Sequence, residues 1–465
     1  MVCIVWLRRE LRLNDNTALV EAAEDFDKVL PLYIIDSDIF NDNGLKPGFD
    51  RVFFWYNSLK NLIQRFRDWG GLVIRVGKPE VVLNNLVGEV DAQAIYFNSD
   101  YTPYSRKRDQ KVLNFIDIEF KGFKDLVFHE KKEILTGSNT PYKVFSYYEK
   151  KWNDLEKKKP TSIADFNTLD VSDEGLPSLK ELGYDEKGYD EKGSDNPLFR
   201  GGRSRGLSLL DSFKERVGSY HEFRDYPGME WTSLLSPHLK FGTISIREAY
   251  WIDDDDSKGL NAWRRQLCWR DFYFQQLWNW PEMYKTPLKK KYTEIDWRDV
   301  NQEWDAFKKG ETGFPLIDAG VRQLLETGWM HNRVRMAVAS FVAKDLHLDW
   351  RVLDSFFKKH FIDFERASMT GGIHWCYSIG GDSQPYFRVF NPTKQAKKYD
   401  PEGSYIKSYI PELQMVPNEY IHKPDEMSEE LQRDIGCIVG EDYPKPVLKH
   451  KERRKKAIEL YESVK

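Results

Sequence analysis

The chain has 465 residues, 40% hydrophobic and 14% aromatic, with a formal net charge of −4. That length allows two or three domains with sizeable cores, and no run approaches the ~20 apolar residues that span a bilayer. A weakly acidic molecule is not a basic nucleic-acid binder as a whole, so any DNA contact must use a local patch.

Residues 1–130 alternate between two kinds of segment. The apolar runs CIVWL, VLPLYIID, LVIRVG and AIYFN are separated by helical patterns: TALVEAAEDF, RVFFWYNSLKNLIQRFRDW, EVVLNNLVGEV and SRKRDQKVLNFI. Short buried strands alternating with helices predict a parallel, Rossmann-like α/β sheet covered on both faces. Neither GxGxxG nor GxxxxGK[ST] is present, so a dinucleotide or P-loop reading has no motif behind it. Asn98, Ser99 and Asp100 follow the strand AIYFN, where open α/β sheets bind ligands; an ordinary strand-end loop reads equally well.

Residues 131–198 are rich in Lys, Asp, Glu and Gly, with GYDEK in tandem at 183–187 and 188–192. They read as a long surface linker. From 199 to 465 the patterns are helical, which predicts a C-terminal all-α domain. Arg200, Arg203, Arg205 and Arg224 form a basic cluster that suits either a solvated loop or a phosphate-contacting rim. Thr232 and Ser233 precede a helical pattern, where an N-cap is the ordinary role. The run Asp253–Asp256 reads as an exposed acidic loop. NAWRRQLCWRDFYFQQLWNWP (261–281) reads as an aromatic-rich helix. Within it, Trp269 suits either a core position or a platform for an unstacked base. Residues 328–380 have the apolar recurrence of buried helix, yet carry His331, Asn332, Arg333, Arg335, Asp363, Glu365 and Arg366. Polar groups among core positions are costly unless paired, and a large cofactor would satisfy them.

Cys3, Cys268, Cys376 and Cys437 form no CxxC pair and have no metal-ligand spacing. A reduced, cytoplasmic protein without a metal is expected. No apolar run follows Arg8 and Arg9, so no signal peptide is expected.

GWMHNRVRM (328–336), DLHLDWR (345–351), PYFRVFNPTKQAKKYDPEGSYI (385–406), WRDFYF (269–274), TSLLSPHLKFGTIS (232–245) and WLRRELRLNDNTAL (6–19) resemble the photolyase/cryptochrome family. They stand in the family's order and cover nearly the whole chain. The resemblance implies FAD, light-driven repair of cyclobutane pyrimidine dimers, UV-damaged DNA as partner, no membrane, and a monomer. It also implies an N-terminal domain that can hold a second, antenna chromophore, whose identity the sequence leaves open. Carried over position by position, it assigns Tyr220, Thr232, Ser233, Leu234, Leu235, Ser236, Trp263, Arg270, Arg335, Asp363, Phe364 and Glu365 to the flavin. Arg335 and Asp363 would form a charge pair near its ring. Arg224, Gln266, Trp269, Asn332, Arg333, Met336 and Trp375 go to DNA and the damaged bases. Trp350 and Trp297 become the outer electron relay.

The chain departs from the family at several of these positions. Gln266 stands where cyclobutane photolyases have Glu, as in (6-4) enzymes and animal-type cryptochromes. Asn332 and Met336 stand where (6-4) enzymes carry histidines. Met369 replaces the Asn beside flavin N5, and Ile373 replaces the proximal relay Trp, with Gly371, Gly372 and Trp375 setting the register. Alternatives are therefore a cryptochrome-like photoreceptor or (6-4) photoproduct repair. The basic helix HKERRKKAIELYESVK is followed by none of the signalling tail that many cryptochromes carry.

Overall fold

The computed structural model describes residues 1–40, 46–185 and 200–464. Apart from residues 183–185, the GYDEK repeat lies outside the described residues. The chain forms two compact units. The first comprises Met1–Gly218, Ser233–Pro281 and Ile362–Ala367. The second comprises Ser219–Thr232, Glu282–Phe361 and Ser368–Lys465.

The first unit contains a five-stranded parallel sheet, β1 (Val2–Leu7), β2 (Lys28–Asp36), β3 (Val73–Gly77), β4 (Ala94–Asn98) and β5 (Glu119–Phe123), in the order β3-β2-β1-β4-β5. Alternation along β1 sends Cys3, Val5 and Leu7 into one core and Ile4 and Trp6 into another. Helices α1 (Thr17–Asp25) and α2 (Phe49–Phe66) supply the first core; α3 (Pro79–Val90) and α4 (Pro103–Phe115) supply the second. The four apolar runs are thus β1 to β4, with β2, β1 and β4 inside the sheet and β3 at one edge. The fifth, EFKGF, escapes a hydrophobic reading because it is an edge strand with polar residues on its open side.

The stretch read as linker contributes α5 (Phe145–Asp154), which buries Phe145, Tyr148 and Trp152 along one face. Trp152 Nε1 donates to Asp271 Oδ2 at 3.0 Å, fixing α5 against α6 (Lys258–Asn279). Ser257 caps α6 by accepting from Leu260 N. A Cβ on Gly259 would lie 2.0 Å from Val217 O and 2.1 Å from Gly218 O. Gly259→Ala is therefore expected to destabilise the protein by about 1–3 kcal/mol through overpacking against backbone, read as a lower denaturant midpoint.

Residues 328–380 are not one helical run. They resolve into α8 (Asn332–Phe341), a π-helical turn Val342–Leu346, α9 (Trp350–His360) and α10 (Arg366–Cys376), preceded by α7 (Pro315–Thr327). The breaks are local: Gly328 and His347 adopt left-handed φ of 63° and 58°, and Asp349 caps α9 by accepting from Arg351 N at 2.8 Å. The basic C-terminal segment forms α11 (His450–Glu462), tied down by Tyr461 Oη to Tyr377 O at 2.6 Å and by His450 Nδ1 against Asp345 Oδ1 at 2.6 Å. Among the described residues, no helix is long and apolar enough to cross a membrane, and no His/Cys/Asp/Glu group is placed to hold a metal ion.

Candidate functional site

The strand order reverses where β1 lies between β2 and β4, the place where α/β sheets offer a ligand cleft. Arg8, Arg9, Asn98, Ser99 and Asp100 line that cleft, which leaves about 20 Å³ free, room for about one water. Most of its polar groups are engaged within the protein, the Nε atoms of Arg8 and Arg9 excepted. Asn98 accepts from Ala18 N at 3.0 Å and donates to Asn16 Oδ1 at 2.8 Å. Arg8 forks onto Asp109, and Arg9 reaches Asp100 Oδ1 at 3.4 Å and Glu365.

That last pair brings the first-unit residues 363–365 into view. Asp363, Phe364 and Glu365 are all buried, and the guanidinium of Arg51 lies 5.4 Å above the Phe364 ring. Burial opposes ionisation of Glu365, but Arg9 and Lys240 outweigh it and hold the carboxyl below its ordinary value. Burial, with Arg9 adding repulsion, pushes Lys240 down to about 8. Glu365 Oε1 remains buried with no hydrogen-bond partner.

On α6, Trp263 is buried and donates from Nε1 to Ala249 O at 2.7 Å. Gln266 donates to Ala262 O at 3.0 Å, so its amide is turned onto its own helix. Arg270 donates to Leu126 O at 2.5 Å, and burial lowers its pKa. Trp269 lies flat on Phe145 of α5, ring centroids 3.6 Å apart and planes at 6°. Ahead of a short helix, Ser236–Lys240, Leu234 adopts φ 53° and Ser233 Oγ accepts from Leu235 N at 3.3 Å. The residue before that helix is Leu235, with no side-chain cap, so Thr232 and Ser233 are not serving as its N-cap. A left-handed leucine is strained, and such strain gathers at ligand-binding loops.

In the second unit, Tyr220 is buried with Arg224 stacked 5.3 Å over its ring. Arg333 pairs with Asp225 at 2.6 Å and lies 4.4 Å over Tyr399. Asn332 Nδ2 is 3.8 Å from Met336 Sδ, so the pair does share one exposed face at the start of α8. His331 caps that helix by accepting from Arg333 N at 3.1 Å, and burial lowers it to about 4; capping by histidine has no strong sequence signal. Arg335 donates to Met330 O at 2.7 Å and lies 4.0 Å over Phe361.

On α10, Met369 and Ile373 are buried and Trp375 is half-buried. Trp350 is buried, and its ring meets His374 edge-on, 4.8 Å away at 87°. Burial, reinforced by Arg351, lowers His374 to about 3, so its ring is neutral, and both its nitrogens lack partners. Trp297 packs against Tyr377 at 5.6 Å and Tyr461 at 5.9 Å. Trp350 and Trp297 line the same open cleft of about 450 Å³. The sequence reading singled out neither His374 nor Phe145, because each becomes visible only through the ring it touches.

Residues 3–164 match the DNA photolyase family model, and residues 263–463 match the FAD binding domain of DNA photolyase. The deoxyribodipyrimidine photo-lyase of Halobacterium salinarum is 37% identical, over 99% of this chain and 98% of its own length. The chain belongs to the DNA photolyase family.

The photo-lyase of Escherichia coli is 32% identical over 99% of this chain. A class III photolyase from Agrobacterium tumefaciens superposes with a TM-score of 0.91 at 31% identity, covering 99% of this chain and 97% of that one. The archaeal photolyase from Sulfolobus tokodaii, solved with two FAD molecules, gives 0.83 at 34%, covering both chains fully. The two-domain photolyase architecture and an FAD-binding domain therefore belong to this chain as family properties. The buried, unpartnered Glu365 Oε1 fits such a group: a buried acceptor of this kind calls for a donor from outside the protein, as a ligand hydroxyl supplies.

Proposed function

We propose that the chain repairs cyclobutane pyrimidine dimers in DNA under blue or near-UV light, as a monomer in the cytoplasm. The observation that carries this reading is a likeness to deoxyribodipyrimidine photo-lyases that runs through both matched domains. Reduced FAD, when bound, supplies the electron that opens the dimer and takes it back. The chain's residues bind and orient. Tyr220, Trp263, Arg270, Arg335 and residues 232–236 and 363–365 hold the cofactor. Trp269, with one face already covered by Phe145, offers its other face to an extruded base. Asn332 and Met336 present one amide and one thioether to the base edge, and Arg224 and Arg333 meet phosphates. Gln266 supplies a neutral amide, which hydrogen-bonds a base but shares no proton with a charged one.

A photoreceptor reading is favoured by one observation: Met369 and Ile373 put buried apolar groups where repair enzymes carry an Asn and a Trp. One experiment separates the two. Chemically pre-reduced protein, illuminated with a thymine-dimer oligonucleotide, is expected to restore intact thymines with multiple turnovers. Flavin-loaded protein that restores none assigns the chain to signalling.

A further inference from the structure

We infer that the outward face of α5 is a second DNA contact, one that grips the strand beside the lesion; this rests on the repair reading above. Three observations meet here. First, α5 is joined to the damaged-base platform itself. Phe145 and Trp269 are stacked in parallel with centroids 3.6 Å apart, and Arg265 lies 5.4 Å over the Phe145 ring, so the helix starts where Trp269 stands. Second, the face of α5 opposite Phe145, Tyr148 and Trp152 is cationic and carries an aromatic. Tyr147 is 66% exposed, with exposed Lys150 and Lys151 beside it on the helix and exposed Lys143 just ahead of the N-cap Val144; exposed Asp154 closes this face at the helix's C-terminal end. Third, those lysines are free of ion pairs: among the described residues, no carboxylate lies within ion-pair distance of them, whereas nearby Glu149 is already held by Arg265 at 2.9 Å.

Isolated surface lysines carry no such inference. An exposed tyrosine among unpaired lysines, on a helix stacked against a base platform, has the composition of a strand-gripping surface: cations for phosphates and a ring for a base or sugar. The polarity of the helix agrees. Lys143 and Phe145 lie at the Trp269 and Trp280 end, with Lys143 5.7 Å over the Trp280 ring. Trp152, at the far end, packs on Tyr250 at 5.8 Å, while Arg264 ties that region to the acidic loop through Asp253 O. The acidic residues Asp154 and 253–256 thus belong to the end away from the platform.

The test uses the flavin-loaded protein and the triple variant K143Q/K150Q/K151Q, with Tyr147→Ala made separately. All four positions are exposed, and unchanged flavin absorbance and melting temperature report intact folding. Binding is measured against a long duplex with a central dimer and against a short oligonucleotide ending at the lesion. For the long duplex, the slope of log K against log salt is expected to flatten by roughly 2–3 in the triple variant, one phosphate per lysine. Tyr147→Ala is expected to weaken it about fivefold. The short oligonucleotide should bind all proteins alike. Equal slopes for wild type and triple variant on the long duplex overturn the inference and leave this face to a protein partner; so does equal weakening on both DNAs. A wild type that fails to prefer dimer-bearing over intact DNA overturns the repair reading, and this inference with it.

Discussion

Asp125→Ala is expected to cost about 3–5 kcal/mol of stability, because it leaves buried guanidinium charge without its partner. Asp125 lies within the first unit in a closed quartet of two arginines and two aspartates, each less than 10% exposed. Arg12 Nη2 and Arg247 Nη2 each approach an Asp125 oxygen at 2.6 Å; Arg247 Nε bridges both Asp15 oxygens at 2.8 Å. Thr17 Oγ1 donates to Asp125 Oδ1 at 3.0 Å. Three chain segments far apart in sequence, around residues 12–17, 125 and 247, thus meet at one carboxylate. Burial opposes ionisation of Asp125, yet Arg12 and Arg247 prevail and hold it well below the usual carboxylate range. The pH dependence follows. A carboxyl with a depressed folded pKa contributes fully above its unfolded value, near 3.9, and loses that contribution as pH falls through the folded value. Urea midpoints between neutral pH and pH 2 should therefore fall more steeply for wild type than for Asp125→Asn, which has no proton to gain. Parallel profiles, or an alanine variant as stable as wild type at neutral pH, would show that the quartet is replaceable.

Light-driven reduction of the oxidised, flavin-loaded protein by thiol is expected to be slow, while repair by chemically pre-reduced protein proceeds. The two processes need different routes. Repair requires only a reduced cofactor beside the dimer. Photoreduction requires a donor near the cofactor and then a chain of oxidisable rings to solvent. Ile373, buried and aliphatic, has no accessible redox state. Trp350 is buried, and its edge-on neighbour is the neutral His374. Trp297 meets Tyr377 instead, so a second set of rings exists beside the expected relay. Ile373→Trp should speed photoreduction by about tenfold or more, which is ~1.4 kcal/mol or more off the barrier, with dimer repair from the pre-reduced state unchanged. Wild type that photoreduces fast, and loses this on Trp350→Phe, would show that the gap at 373 is crossed directly. Fast reduction lost on Tyr377→Phe instead would move the route to the Trp297–Tyr377 pair.

Four strands of the sheet were legible because parallel strands are buried on both faces and read as unbroken apolar runs; β5 was not, because its open edge tolerates charge. The aromatic helix α6 was legible for the same kind of reason, a long stretch without Pro between Ser257 and Trp280. The i, i+4 pairing of Asn332 and Met336 followed from helical spacing alone. The family was legible because its motifs are local strings in fixed order.

Tertiary structure decided what depends on contacts between distant segments. Phe145 stood in a lysine-rich stretch with nothing to mark it, and it became part of the platform only because α5 lies on α6. Asp125 and its three partners Arg12, Asp15 and Arg247 are ordinary charges in sequence; burial together makes them a stabilising core, since a charge removed from water must find its partners inside. The strand-end polar residues Asn98 and Asp100 had the composition of a ligand site, but Asn16, Ala18 and Arg9 occupy their hydrogen-bonding atoms. Residue type sets which bonds a side chain is able to make. The fold determines which of them remain to be made by something else, and in residues 363–365 that is Glu365 Oε1.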